Sequence, residues 1–333
     1  MKTYTVAVLG ATGAVGREMI RILEERNFPV AKLIPLASAR SAGTTIPFGG
    51  EDITVVEVTP ESFEGVDIVL GAAPNKLAKE YAPHIVKAGA VFVDNSSAFR
   101  LYDDVPLVIP EINPEDVKKH KGIISNPNCS TIVSLVAVNA INKLSPIKAM
   151  TVSTYQAVSG AGAGGPVELQ GQVDAIAKGE AIETKIFPYQ IAYNLIPQIG
   201  DFTENGYTTE EMKMQNEGRK ILHLPELLVG CTCVRVPVFR SHSISITLAT
   251  ETPISVEDAK NAVANEKGCR LVDDPASKSY PMPLDTSDQD IVFVGRIRKD
   301  LTNPNGLTLW CCGDQVRKGA ATNTVQIAEL LIR

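Results

Sequence analysis

Tyr4-Thr-Val-Ala-Val-Leu9-Gly10-Ala-Thr-Gly13-Ala-Val-Gly16 decides how this chain is to be read. Its first six residues are an apolar, strand-like run, and a helical pattern over residues 14–25 begins almost at once. Gly10, Gly13 and Gly16 punctuate the join. Glycine there lets the backbone turn tightly and approach a pyrophosphate, while the start of the helix offers free N–H groups and positive potential. The spacing departs from the usual G-x-G-x-x-G, because Gly13 stands one residue later than the middle glycine. Gly10, Thr12, Gly13, Ala14, Val15 and Gly16 are therefore the expected cofactor contacts.

Working outward, a second strand at 32–37 ends in Ser38-Ala39-Arg40-Ser41. NAD enzymes usually place Asp or Glu at this point to hold the ribose hydroxyls. A guanidinium and two hydroxyls suit a 2′-phosphate instead, so Ser38, Arg40 and Ser41 predict NADP. Further apolar strands at 53–58, 68–71, 90–94 and 122–125, with a helix at 76–88, imply a parallel sheet covered on both faces. After Pro146 the pattern changes. Longer strands at 147–158, 231–238, 243–250, 291–298 and 307–312 then mix with helices at 166–178 and 258–266, following the helix at 131–144. The strand at 243–250 alternates polar and apolar residues, as in a sheet packed on one face. The fold expected is α/β: a doubly wound, Rossmann-like dinucleotide domain at 1–130, then an α+β domain at 131–314 with a mostly antiparallel sheet. The closing helix, within 315–333, is expected to rejoin the first domain.

Composition narrows the function. The 333 residues are 44% hydrophobic and 21% charged, with a net charge of −6, which suits a globular protein of two domains. Nothing resembles the basic footprint of a nucleic-acid binder. There is no charge-free apolar run of about 18 residues and no signal-peptide pattern, so the reading is a cytoplasmic protein with a small-molecule substrate. The six cysteines are read as free thiols, and Cys231 and Cys233 as structural residues sharing one face of a strand. Four histidines without ligand spacing argue against a metal site.

Ser125-Asn126-Pro127-Asn128-Cys129-Ser130-Thr131 precedes an apolar helix. A cysteine at a helix N-terminus lies in positive potential that favours the thiolate, and the same N–H groups can stabilise an oxyanion. Cys129 is the candidate nucleophile, carrying an acyl group as a thioester.

These segments, together with Asp94 through Arg100, Thr154 through Gly160, Glu210 through Lys213, Arg235 through His242 and Gly313 through Gln315, resemble bacterial-type aspartate-β-semialdehyde dehydrogenases over essentially the whole chain. The resemblance implies reversible, NADPH-dependent reductive dephosphorylation of L-aspartyl-4-phosphate by a homodimer, ahead of lysine, methionine and threonine. It makes Cys129 the nucleophile, His242 the acid/base and Gln156 the residue that positions the acyl group. Arg235 would hold the substrate α-carboxylate and Glu210 its ammonium, while Arg100 and Lys213 would hold phosphate. Ser159, Gly160 and Gln315 would be further cofactor contacts. N-acetyl-γ-glutamyl-phosphate reductase is the nearest rival, but its cysteine motif has glycine where Asn128 stands. A non-catalytic binding homologue is the rival of another class, and it would be expected to lack Cys129 or His242.

Overall fold

In the computed structural model, which describes residues 2–332, β1 (Tyr4–Leu9) shows why its sequence lacks polar alternation. Successive side chains of a strand point to opposite faces. Val6 and Val8 enter one core with Met19, Ile20 and Leu23 of α1 (Ala14–Glu25) and Val325 and Ala328 near the C-terminus. Ala7 and Leu9 enter a second core with Ala78, Ala82 and Ile85 of a later helix, Asn75–Lys87. Both faces are covered, so both are apolar.

The remaining strands of this unit are β2 (Val30–Ala37), β3 (Thr45–Phe48), β4 (Glu51–Thr54), β5 (Val56–Glu57), β6 (Ile68–Gly71), β7 (Val91–Asp94) and β8 (Ile123–Ser125). Five of them join β1 in a six-stranded sheet in the order β5-β2-β1-β6-β7-β8, and each pairing is parallel. Helix α2 is Asn75–Lys87. The strand order reverses between β1 and β6, which puts the Gly10 loop at the switch point where open α/β sheets bind ligands. The strand expected at 53–58 divides in two. β4 turns back on β3 through Gly49-Gly50 as a separate hairpin, and only β5 joins the main sheet. The apolar run was legible, but its hairpin partner was not.

The second unit begins with α3 (Cys129–Leu144), and Ser130 through Ile141 are all buried. Its sheet contains β9 (Ile147–Gln156), β10 (Leu228–Arg235), β11 (His242–Thr250), β12 (Cys269–Leu271), β13 (Val292–Lys299) and β14 (Gly306–Gly313). The order is β10-β9-β11-β14-β13-β12. The three central pairings are antiparallel and the two outer ones parallel, so the sheet is mixed with an antiparallel centre. The other helices are α4 (Gly164–Lys178), α5 (Thr209–Leu222), α6 (Val256–Asn265) and the short α7 (Pro283–Thr286). α5 is not among the helices expected from the sequence pattern. Its inward face carries Glu210, Glu211 and Glu217, which hides the apolar periodicity. Thr208 and Glu211 start it with a capping box.

The chain forms two compact units, one running to Asn128 and resuming at Ala320, the other Cys129–Gly319. The divides read from sequence, after 130 and 314, thus fall after Asn128 and Gly319. The closing helix α8 (Thr322–Leu331) belongs to the first unit, where Arg26 grips Glu329 with two hydrogen bonds of 2.6 and 2.9 Å. Among the described residues no helix is long and apolar enough to cross a membrane.

Candidate active site and cofactor loop

In the first unit the glycine loop has three distinct constraints. Gly10 has φ +86, and a Cβ there would fall 2.6 Å from Ala72 O, so both conformation and space demand glycine. A Cβ on Gly16 would lie 2.2 Å from Gly10 O. Gly13 is different: its Cβ would meet nothing closer than 3.4 Å, so packing does not require glycine. It is the N-cap of α1, no side chain caps that helix start, and no acid occupies the first turn. Thr12, Ala14 and Val15 lie in this same turn. A helix start left open in this way fits an anionic pyrophosphate. After β2 the chain makes a single turn, Ala39–Ser41, with Ser38 and Arg40 exposed and Ser41 half-buried. Two hydroxyls and a guanidinium fit a 2′-phosphate.

In the second unit the topology explains how residues far apart in sequence meet. β9 and β10 run parallel and end together at Gln156 and Arg235, which are partners in the pairing. β11 runs the other way, so its first residue, His242, lies at that same end, opposite the last residue of β14, Gly313. Ser159 and Gly160 follow β9, and Gln315 follows β14. Cys129 opens α3 and is half-buried.

His242 Nε2 is 3.4 Å from Cys129 Sγ, and the Ala157 amide donates to His242 Nδ1 at 3.1 Å. Arg235 Nη1 donates to Ala157 O at 2.7 Å, with its guanidinium over the Phe187 ring. Thr154 Oγ1 donates to Gln156 Oε1 at 2.9 Å, and Gln156 Nε2 donates to Glu210 Oε1 at 3.2 Å. Lys213 Nζ donates to Glu210 Oε2 at 2.8 Å. Burial, reinforced by the Arg235 charge and opposed by Glu210, pushes the His242 pKa down to about 3. Burial also lowers that of Arg235, against the favourable charges of Cys129 and Glu210.

A sulfur nucleophile, a ring nitrogen within reach of it, an amide donor and groups of both charges can together bind a zwitterion and attack its carbonyl. Cys129, Gln156, Glu210, Lys213, Arg235 and His242 thus form one set of neighbours. Ser159 and Gln315 form a second, with the Gln315 amide donating to the Ser159 hydroxyl and accepting from Ser241 N at 2.9 Å. Gly160 lies against the first set: a Cβ there would be 2.9 Å from Arg235 Nη1 and 3.2 Å from His242 Cε1. Arg100 belongs to the other unit, where it is buried and donates to Asn95 O at 2.9 Å.

Three further residues brace neighbours of these side chains. Thr154 lies two residues before Gln156 and so shares its face of β9; the period of two was the available signal. Asn323, buried on α8, donates to Asn126 Oδ1 at 2.7 Å and holds the residue three before Cys129. Gly319 leaves room for Cys129, since its Cβ would come within 2.9 Å of the cysteine's own. Cys231 and Cys233 are buried in β10 with sulfurs 3.7 Å apart, and none of the six cysteines forms a disulfide.

Residues 5–120 match the family model "Semialdehyde dehydrogenase, NAD binding domain", and residues 138–318 match "Semialdehyde dehydrogenase, dimerisation domain". The chain is 52% identical to the aspartate-semialdehyde dehydrogenase of Synechocystis sp., covering 98% of this chain and 97% of that one. It is 51% identical to the enzyme of the same name from Bacillus subtilis, covering 98% and 96%. Aspartate semialdehyde dehydrogenase II of Vibrio cholerae, solved as a complex with ASA, superposes with a TM-score of 0.97 at 45% identity, covering 100% of this chain and 99% of that one. The Candida albicans enzyme solved with NADP gives 0.78 at 27% identity, covering 99% of each. Sharing about half its residues with such enzymes along almost its entire length, the chain belongs to the aspartate-semialdehyde dehydrogenase family.

Proposed function

We propose that this protein catalyses the reversible reductive dephosphorylation of L-aspartyl-4-phosphate to L-aspartate 4-semialdehyde and phosphate. The observation that carries the reading is the 3.4 Å approach of His242 to Cys129 beside a buried arginine and a buried glutamate. Arg235, with its planar fork, receives the α-carboxylate, and Glu210 the α-ammonium. Gln156 directs its amide at the acyl group, adding no charge. Cys129 attacks the acyl carbon, phosphate leaves toward Lys213 and Arg100, and a thioester remains on the sulfur. When bound at the Gly10–Gly16 loop, with its 2′-phosphate on Ser38, Arg40 and Ser41, NADPH supplies the hydride that turns this thioester into the aldehyde. Ser159, Gly160 and Gln315 are assigned to the same cofactor.

The first unit serves as the dinucleotide domain and the second as the catalytic and dimerisation domain of a cytoplasmic homodimer. Its product feeds lysine, methionine and threonine synthesis. The test is phosphate-dependent reduction of NADP with aspartate semialdehyde, run beside the longer N-acetylglutamate semialdehyde. Turnover of only the longer aldehyde overturns this assignment in favour of the acetylglutamyl-phosphate reductase reaction.

A further inference from the structure

A glutamine amide has two unlike ends, and the end that Gln156 presents to the acyl group decides whether it helps or hinders. Two buried neighbours in the second unit settle the orientation. Glu210, ion-paired with Lys213, can only accept, so the end of Gln156 that lies 3.2 Å from Glu210 Oε1 is Nε2. The Thr154 hydroxyl lies 2.9 Å from the other end and donates to Oε1. The reverse orientation would set Oε1 against the carboxylate, two acceptors with no hydrogen between them. Thr154 is fully buried and Gln156 nearly so, and both therefore depend on partners within the protein.

The two residues share one face of β9 because they are two apart in a strand. Across the sheet Thr154 stands between Cys233 and Ile244, whose side chains offer no oxygen or nitrogen to compete for its hydroxyl. In the proposed reaction Glu210 is taken up by the substrate ammonium, and the hold on Oε1 from the other side gains importance at that moment.

From this geometry we infer that Thr154 is a positioning residue of the reaction, its hydroxyl keeping the Gln156 amide turned with Nε2–H, and not Oε1, toward the acyl oxygen. The inference deepens the proposed function and rests on its assignment of Gln156 to the acyl group. Nε2 carries two hydrogens; Glu210 occupies one, and the second is left for the acyl oxygen. Negative charge develops on that oxygen when the sulfur attacks and again when hydride is added, and an N–H donor stabilises it. An amide turned round would place Oε1 there and repel the charge. Since this charge appears only on the way to the transition state, the hydroxyl should act on kcat rather than on substrate binding.

The test is steady-state kinetics of Thr154→Val and Thr154→Ser with aspartate semialdehyde, phosphate and NADP. Valine keeps the shape of threonine and removes only the hydroxyl, whereas serine keeps the hydroxyl and removes the methyl. Thr154→Val should lower kcat by about tenfold, the scale of one hydrogen bond, while the KM for the semialdehyde stays within about twofold. Thr154→Ser should retain most of kcat. In a Gln156→Leu background, which has no amide to orient, Thr154→Val should cause no further loss. Native kcat in Thr154→Val overturns the inference. So do equal losses in the valine and serine variants, which would trace the effect to packing of the methyl group, and so does a full additional loss in the Gln156→Leu background. Native protein that fails to turn over the semialdehyde overturns the proposed function as well, whereas these variant outcomes overturn the role of Thr154 alone.

Discussion

Lys213 holds Glu210 as an ion pair at 2.8 Å on α5, so the cation assigned to phosphate and the carboxylate assigned to the substrate ammonium neutralise one another before substrate arrives. Lys213→Ala should raise the half-saturating phosphate concentration in the oxidative direction by roughly tenfold, the scale of one charge-assisted hydrogen bond. The effect on the semialdehyde should be smaller. Saturation curves with one substrate varied and the other held high decide this. A change confined to the semialdehyde curve would show that Lys213 does not bind phosphate.

Cys129→Ser keeps the shape of the helix start but replaces a group that ionises near neutral pH with one that does not. Turnover should fall by several orders of magnitude while NADPH binding, followed by fluorescence titration, persists. Activity within a few-fold of the native enzyme would remove the sulfur from the mechanism.

Arg40 is exposed on a single turn, so its removal should leave the fold intact. Arg40→Ala should shift the NADP-over-NAD preference in kcat/KM by about tenfold or more, the contribution of a charged phosphate contact. Equal losses with both cofactors would mean that Arg40 does not read the 2′-phosphate.

Arg235→Lys preserves charge but loses the planar fork that donates to Ala157 O and that is proposed to receive the substrate carboxylate. Gly160→Ala reaches the same place sterically, since its Cβ would lie 2.9 Å from Arg235 Nη1. Both variants should weaken semialdehyde binding and lower kcat while thermal stability changes little. A variant that melted earlier yet kept native kinetics would indicate a packing role instead.

The depressed His242 pKa also has a consequence for stability. The folded ring takes up its proton at about 3, whereas an unfolded imidazole does so near 6.5. Between these values the unfolded chain binds more protons, so stability contributed by this site falls as pH drops through the window, by up to about 1.4 kcal/mol per unit. It is pH-independent above the upper value. Melting temperatures of native protein and His242→Asn should therefore converge as pH falls from about 7 toward 4. Parallel curves would mean that the buried ring is not held neutral.

The sequence by itself determined whatever depends on local chemistry and on period. β1, α1 and β6 have the bounds read from sequence, because uninterrupted apolar runs and glycine punctuation are local signals. Cys129 was legible from its place before an apolar helix, and the glycine loop from its position between a strand and a helix. Arg235, His242, Glu210 and Gln156 were legible only through family resemblance, since nothing in their own neighbourhoods distinguishes them from ordinary polar residues. Tertiary structure alone decided that β9, β10 and β11 bring their functional ends to one edge, because strand direction is set by pairing across long sequence separations. It also decided that Ala157 holds the His242 ring, that Glu210 and Lys213 pair, and that α5 buries carboxylates on its inner face. Those relationships arise when burial removes water and each polar group must find a partner within the protein, wherever in the chain that partner lies.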